Sequence, residues 1–90
     1  MQQGKVLVVN RLGLHARAAA KLVKTAESFE SRIIISSEDG SASANAKSIL
    51  SLLTLAASKG GTLRISAEGA DEIEAFETIT SLFESGFGEK

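Results

Sequence analysis

The hydrophobic period of this 90-residue chain switches repeatedly between strand-like and helical, and that order restricts the fold more than any single residue does. Residues 5–9 form a continuous β-branched and apolar run of strand length, closed by Asn10 and Gly13. From 16 to 29, Ala16, Ala19, Ala20, Val23, Ala26 and Phe29 recur at three- and four-residue steps. They predict the apolar face of a helix, with Lys21, Lys24 and Glu27 on its other faces. Residues 32–37 (RIIISS), the turn EDG and residues 41–44 predict a hairpin in which Asp39 and Gly40 take positive φ angles. Its second arm is small and polar, as befits a short edge strand. Helical material returns in NAKSILSLLTLAASKGG and stops at Gly60 and Gly61. Residues 62–67 (TLRISA) alternate, with Leu63, Ile65 and Ala67 on one side and Thr62, Arg64 and Ser66 on the other, which predicts a strand with one wet face. Asp71 and Glu74 predict a capping box opening a last helix, whose inner stripe is Ile73, Phe76, Ile79 and Phe83.

The resulting order is βαββαβα. Four short strands and three helices predict an α+β fold with helices on a single face of the sheet. No repeat, low-complexity segment or linker divides the chain, so residues 1–90 read as one domain. With no proline, every turn must be made by Gly, Asn, Asp and Ser. A chain this short buries only about 60 to 70% of the surface it exposes when unfolded, which leaves no room for a large enclosed active site. The net charge of −1 argues against holding nucleic acid by bulk electrostatics. An RNA-binding α+β domain is further disfavoured by the absence of Tyr and Trp, with only four Phe and no aromatic-bearing strand on which bases could stack. Without cysteine there is no disulfide framework, thiolate metal site or thiol nucleophile. No apolar run approaches the roughly 20 residues of a membrane span. The expectation is a soluble cytoplasmic domain with no metal or other cofactor.

His15 is the only histidine, and it lies where the Gly-bearing loop becomes the first helix. There its ring adjoins backbone N–H groups that have no partner inside the helix, and those groups with the positive end of the helix dipole suit an anion. Arg17, in the first turn, adds forked donors matched to phosphate oxygens. A cation at that end is otherwise unfavourable for a helix, so its presence hints at function. Both positive influences favour an uncharged imidazole with a nucleophilic nitrogen. The chemistry suggested is a reversible phosphoryl relay. Nothing resembles a nucleotide loop or a second acid/base, so the chain reads as a carrier rather than a self-sufficient catalyst. A lone His at a helix start is also commonly a cap or a surface residue.

GLHARAAAKL resembles the active-site segment of HPr, the histidine-containing phosphocarrier family of the bacterial phosphoenolpyruvate:sugar phosphotransferase system. AKSILSLLTLAASKG and ISAEGADEIEAFETI resemble that family's second and third helices and the strand between them. The resemblance implies an open-faced β-sandwich, a four-stranded antiparallel sheet with three helices on one face. It further implies that His15 takes a phosphoryl group on Nδ1 from phosphorylated enzyme I and passes it to an enzyme IIA domain, with Arg17 stabilising the phosphate. The chain departs from the family at Ala18, where proline is usual. Alanine is an excellent helix former, so the helix is expected to persist with a looser start.

Lys47, Ser48 and Ile49 match the segment whose serine is modified by a dedicated kinase in many HPr proteins, which makes Ser48 a regulatory candidate. Ser48 is equally a residue suited to capping the second helix. That helix is richer in leucine than one buried face requires: Ile49, Leu52, Leu53 and Ala56 form a stripe, and Leu50 and Leu55 are left over. The resemblance places Ile49, Leu50 and Leu53 at partner contacts. Two alternatives stay open. LFESGFGE resembles the nitrogen-branch relative NPr, with the same chemistry and regulatory partners, and a binding module acting through phosphorylated Ser48 would make little use of His15. The partners expected are enzyme I, IIA domains and an HPr serine kinase, with no nucleic acid, no membrane insertion and a monomeric chain.

Overall fold

The structure, a computed structural model, describes residues 1–58 and 61–88. In chain order it comprises β1 (Gln2–Leu7), α1 (Ala16–Glu27), β2 (Arg32–Ser37), β3 (Ser43–Asn45), α2 (Ile49–Ser58), β4 (Thr62–Glu68), α3 (Glu72–Glu84) and a closing 3₁₀ turn, Gly86–Gly88. The strands form one sheet in the order β1-β4-β2-β3, and every neighbouring pair is antiparallel. The expected element order and one-faced architecture are both present.

The alternation in β4 decides which side is the core. Leu63, Ile65 and Ala67 point inward and are buried, opposite Val6, Gly4 and Gln2 of β1 and opposite Ser37, Ile35 and Ile33 of β2. Onto this side α3 packs against β1 and β4, α2 packs against β3 and β2, and α1 closes against both α2 and α3. Each Leu, Ile or Phe removed from water here contributes about 1.5–3 kcal/mol before entropy is set against it. Lys5, Leu7, Arg32, Ile34, Ser36, Thr62, Arg64 and Ser66 stand on the opposite, helix-free side and are exposed or half-exposed.

Several boundaries and faces differ from expectation. β1 begins three residues earlier than the apolar run, because pairing with β4 recruits Gln2, Gln3 and Gly4, and it ends at Leu7, leaving Leu7 and, beyond the strand, Val9 exposed. The second hairpin arm is Ser43–Asn45, not 41–44. Only Gly40 has a positive φ in its turn, at +77°, while the Asp39 carboxylate accepts hydrogen bonds from the Ser41 amide and from both the Ser37 and Ser41 hydroxyls. α2 starts at Ile49, since Asn45 ends β3 and residues 46–47 turn. The stop expected at Gly60 lies outside the described residues, and Gly61 has φ +77°. The buried face of α1 is Ala18, Ala19, Leu22 and Ala26, with Val23 and Phe29 half-buried and Ala16 and Ala20 exposed. In α2, Leu55 joins Leu52 in the core, while Ile49 does not. In α3, Ala75 rather than Ile73 completes the stripe with Ile79 and Phe83, and Ile73 is 61% exposed.

The start of α3 also differs from a capping box. Asp71 makes no cap hydrogen bond to its own helix. Its carboxylate accepts instead from the Glu30 and Ser31 amides, each at 2.9 Å, and from the Ser31 hydroxyl, pinning the α1–β2 loop to α3. Gly69 makes room for this contact: its φ is +149°, and a Cβ there would stand 2.8 Å from Ser31 Cα. Glu72, not Glu74, reaches back to the helix-start backbone, accepting the Gly69 N–H at 3.2 Å. At the other end of α3, Phe87 sits buried at φ +58° between Gly86 and Gly88, its ring edge-on to Phe83 at a centroid distance of 4.9 Å.

The Ser31 hydroxyl, followed by the Glu30 amide, holds the Asp71 carboxyl below its ordinary range. A carboxylate lowered on folding contributes stability that is present above its unfolded pKa, about 3.9, and is lost as pH falls through the lower folded value. The stability advantage of wild type over Asp71→Asn should therefore be full near neutral pH and shrink below about pH 4, measured by urea denaturation across pH.

Candidate functional site

The loop joining β1 to α1 is built from its own hydrogen bonds. Val8 N–H donates to the Gly61 carbonyl at 3.0 Å, carrying the sheet contact one residue past β1. The chain then turns over residues 10–13, with the Gly13 amide donating to the Asn10 carbonyl at 3.1 Å and Gly13 in the left-handed region at φ +66°. Leu14 drops into the core. His15 follows as the N-cap of α1, at φ −83° and ψ −179°, and its carbonyl accepts the first helical bond from Ala19 at 2.8 Å.

His15 caps the helix with its ring. Nδ1 accepts the Arg17 backbone N–H at 3.2 Å, which takes up one of the orphan donors of the first turn. A ring nitrogen that accepts carries no proton, so the Nδ1 lone pair is aimed at the positive end of α1. The first turn holds no acidic residue, and the exposed Arg17 side chain has no acid partner among the described residues. An uncommitted guanidinium beside the N–H groups of a helix start is what an arriving dianion needs. The helix runs unbroken through Ala18, whose methyl is fully buried.

Ser48 directly precedes α2. Its Oγ accepts the Ser51 N–H at 3.3 Å and donates to Ser51 Oγ at 3.1 Å, while its carbonyl accepts the Leu52 N–H at 3.1 Å. It is therefore a working cap. Just before it, Lys47 Nζ donates to the Phe29 carbonyl at 2.8 Å, so α2 opens beside the end of α1 and not beside His15. α1 has 12 residues, which corresponds to about 18 Å. Of the expected partner contacts, Leu50 is 74% exposed, Ile49 is 42% exposed and Leu53 is half-buried. Between the two ends α1 exposes Arg17, Ala20, Lys21, Lys24 and Glu27. The structure thus joins His15 to Arg17 and sets Ser48 toward the end of α1 away from His15, while Leu50 lines a surface hollow with Ala42, Ser43, Ser51, Thr54 and Leu55. Sequence reading passed over Leu12, an apolar side chain 70% exposed within the His15 loop, although an apolar residue inside a turn was a visible signal.

Residues 2–85 match the family model described as "PTS HPr component phosphorylation site". The chain belongs to the HPr family. Among HPr relatives, the phosphocarrier protein HPr of Xylella fastidiosa is 43% identical over 89 residues, covering 99% of this chain and 98% of its own. The phosphocarrier protein NPr of Proteus mirabilis is 41% identical over 88 residues, covering 98% and 97%. The crystal structure of HPr from Thermoanaerobacter tengcongensis is similar to this fold with a TM-score of 0.89 and 41% identity, over 100% of this chain and 99% of that one. Another crystal structure from that organism is an HPr dimer, 42% identical with a TM-score of 0.73, over 99% and 100% of the two chains.

As a cap, Ser48 carries a measurable share of stability in this HPr-family chain. Ser48→Ala is expected to cost about 1 kcal/mol by urea denaturation, with the slope of the transition unchanged.

Proposed function

We propose that this protein is a phosphocarrier in which His15 Nδ1 takes a phosphoryl group from phosphorylated enzyme I, originating in phosphoenolpyruvate, and hands it to an enzyme IIA domain. The observation that carries this reading is the placement of Nδ1 at the N-terminus of α1, against the Arg17 amide. In the first transfer the P–Nδ1 bond forms as the donor's bond to phosphorus breaks, and the acceptor reverses the step. The Arg17 N–H released by Nδ1 is then available to a phosphoryl oxygen, and the Arg17 guanidinium is within the same turn. Each charge-assisted hydrogen bond so formed is worth about 1.5–3 kcal/mol. His15 and Arg17 lie in one helix turn, so the transfer proposed needs no second copy of the chain.

Ile49, Leu50 and Leu53, continued by the exposed face of α1 toward His15, form the surface on which enzyme I and IIA dock. A phosphate placed on Ser48 by an HPr serine kinase would replace the Oγ–H that donates to Ser51 Oγ, meet the favourable end of the α2 dipole and add negative charge to that surface. Such a modification acts on docking, because Ser48 lies toward the far end of α1 from His15. A carrier of this kind serves cytoplasmic partners, and no helix among the described residues is long and apolar enough to cross a membrane. A nitrogen-branch role is the second reading, favoured by the 41% identity to an NPr. Pairwise transfer with sugar-type and nitrogen-type enzyme I and IIA separates the two branches.

Incubated with enzyme I and phosphoenolpyruvate, wild type is expected to gain one acid-labile phosphate by intact mass and His15→Ala none. No phosphate on wild type, with both enzyme I types active on their own carriers, refutes the relay. Leu50→Glu should weaken enzyme I binding about tenfold by calorimetry while leaving the thermal midpoint in place, since Leu50 supports no core contact that a charge would disturb. Unchanged affinity would remove Leu50 from the docking surface.

A further inference from the structure

We propose that Asn10 is a positioning residue for the phosphoryl relay: its side-chain N–H, held on the Gly13 carbonyl, sets the His15 imidazole at the mouth of α1. This rests on the carrier reading above. Asn10 is 5% exposed, an unusual burial for a polar side chain in a short loop. Its Nδ2 donates to Gly13 O at 2.7 Å, while its own carbonyl accepts the Gly13 N–H at 3.1 Å. The same Gly13 oxygen accepts the His15 backbone N–H at 3.0 Å. The Gly13 carbonyl is therefore the point from which the His15 backbone hangs, and Asn10 grips it from the other side.

The side of Gly13 where a Cβ would stand is open, with nothing within 4 Å and a φ of +66°, while the Gly13 carbonyl accepts both the Asn10 side chain and the His15 amide. The next firm anchor is Leu14 in the core. Without the Asn10 donor, the peptide plane ahead of Leu14 gains freedom to rotate, and the His15 amide moves with it. Displacing a reacting group by about 1 Å can cost about a hundredfold in rate. Asn10 does not touch the transferred group; it acts through the turn.

The test is Asn10→Asp, which keeps shape and acceptors but replaces the donor with a carboxylate facing the Gly13 oxygen, compared with Asn10→Ala. Phosphoryl transfer from enzyme I is expected to lose tenfold or more in kcat with KM within twofold, because the docking surface is untouched. In the nitrogen–proton spectrum the Arg17 amide and the His15 ring signals should shift, while resonances of β2 and α3 stay in place. Wild-type kcat in both variants, or a rise in KM alone, overturns the proposal, as does an unmoved Arg17 amide. If Asn10→Asp does not fold, Asn10→Ser, too short to reach Gly13 O, carries the same readings. If wild type takes no phosphate from an active enzyme I, the carrier reading has failed, and the Arg17 and His15 signals alone then decide whether Asn10 orients the imidazole.

Discussion

Strand β4 is the constraint on which the other elements depend. It is the last strand in the chain, yet it lies between β1 and β2, so the N-terminal strand has no sheet partner until residue 62 is in place. Closing so long a loop is entropically costly and slow, and the return is a two-sided ladder whose inward residues Leu63, Ile65 and Ala67 lie in the core. The site inherits its position from this pairing. The bond from Val8 to Gly61 extends the β1–β4 contact toward Asn10, and the turn and helix cap that hold His15 follow within a few residues.

How much of this was legible varied with the kind of signal. β4 was plain because alternation with branched and apolar residues on one side has a single physical reading. α1 was recognisable as a helix but not in its facing: five of its 12 residues are alanine, and alanines weigh so little that the stripe through Leu22 and the one through Val23 look alike in sequence. α3 misled for the opposite reason, since bulky Ile73 outweighed Ala75 in the pattern. Asp71 ties the start of that helix to residues 30 and 31, and in the folded chain Ala75 is buried while Ile73 is exposed. Gln2 and Gln3 carry no strand signal of their own. Their pairing is imposed by Ala67 and Ser66 across the ladder, as expected where register and not local propensity decides.

The site divides in the same way. His15 and Arg17 stood out as candidates because the chain's only histidine lies at a helix start and a cation in the first turn runs against the helix dipole. Asn10 was visible only as a turn former, and its grip on Gly13 needed coordinates. Lys47 was unreadable as a structural residue, because its partner carbonyl lies 18 positions away on Phe29. That bond sets the start of α2, with its serine cap, beside the end of α1 away from the imidazole.

The edge position of β1 has a consequence for assembly. β1 is bound to the sheet along one side only, through β4, and it is tethered to the remaining fold by residues 8–15. Those residues would be the hinge for any exchange of β1 between two copies of the chain. Straightening them would undo the Asn10–Gly13 turn and withdraw the Nδ1 cap from Arg17. Strand exchange and the His15 cap draw on the same eight residues, so straightening them to swap β1 would give up the cap that Nδ1 makes on Arg17.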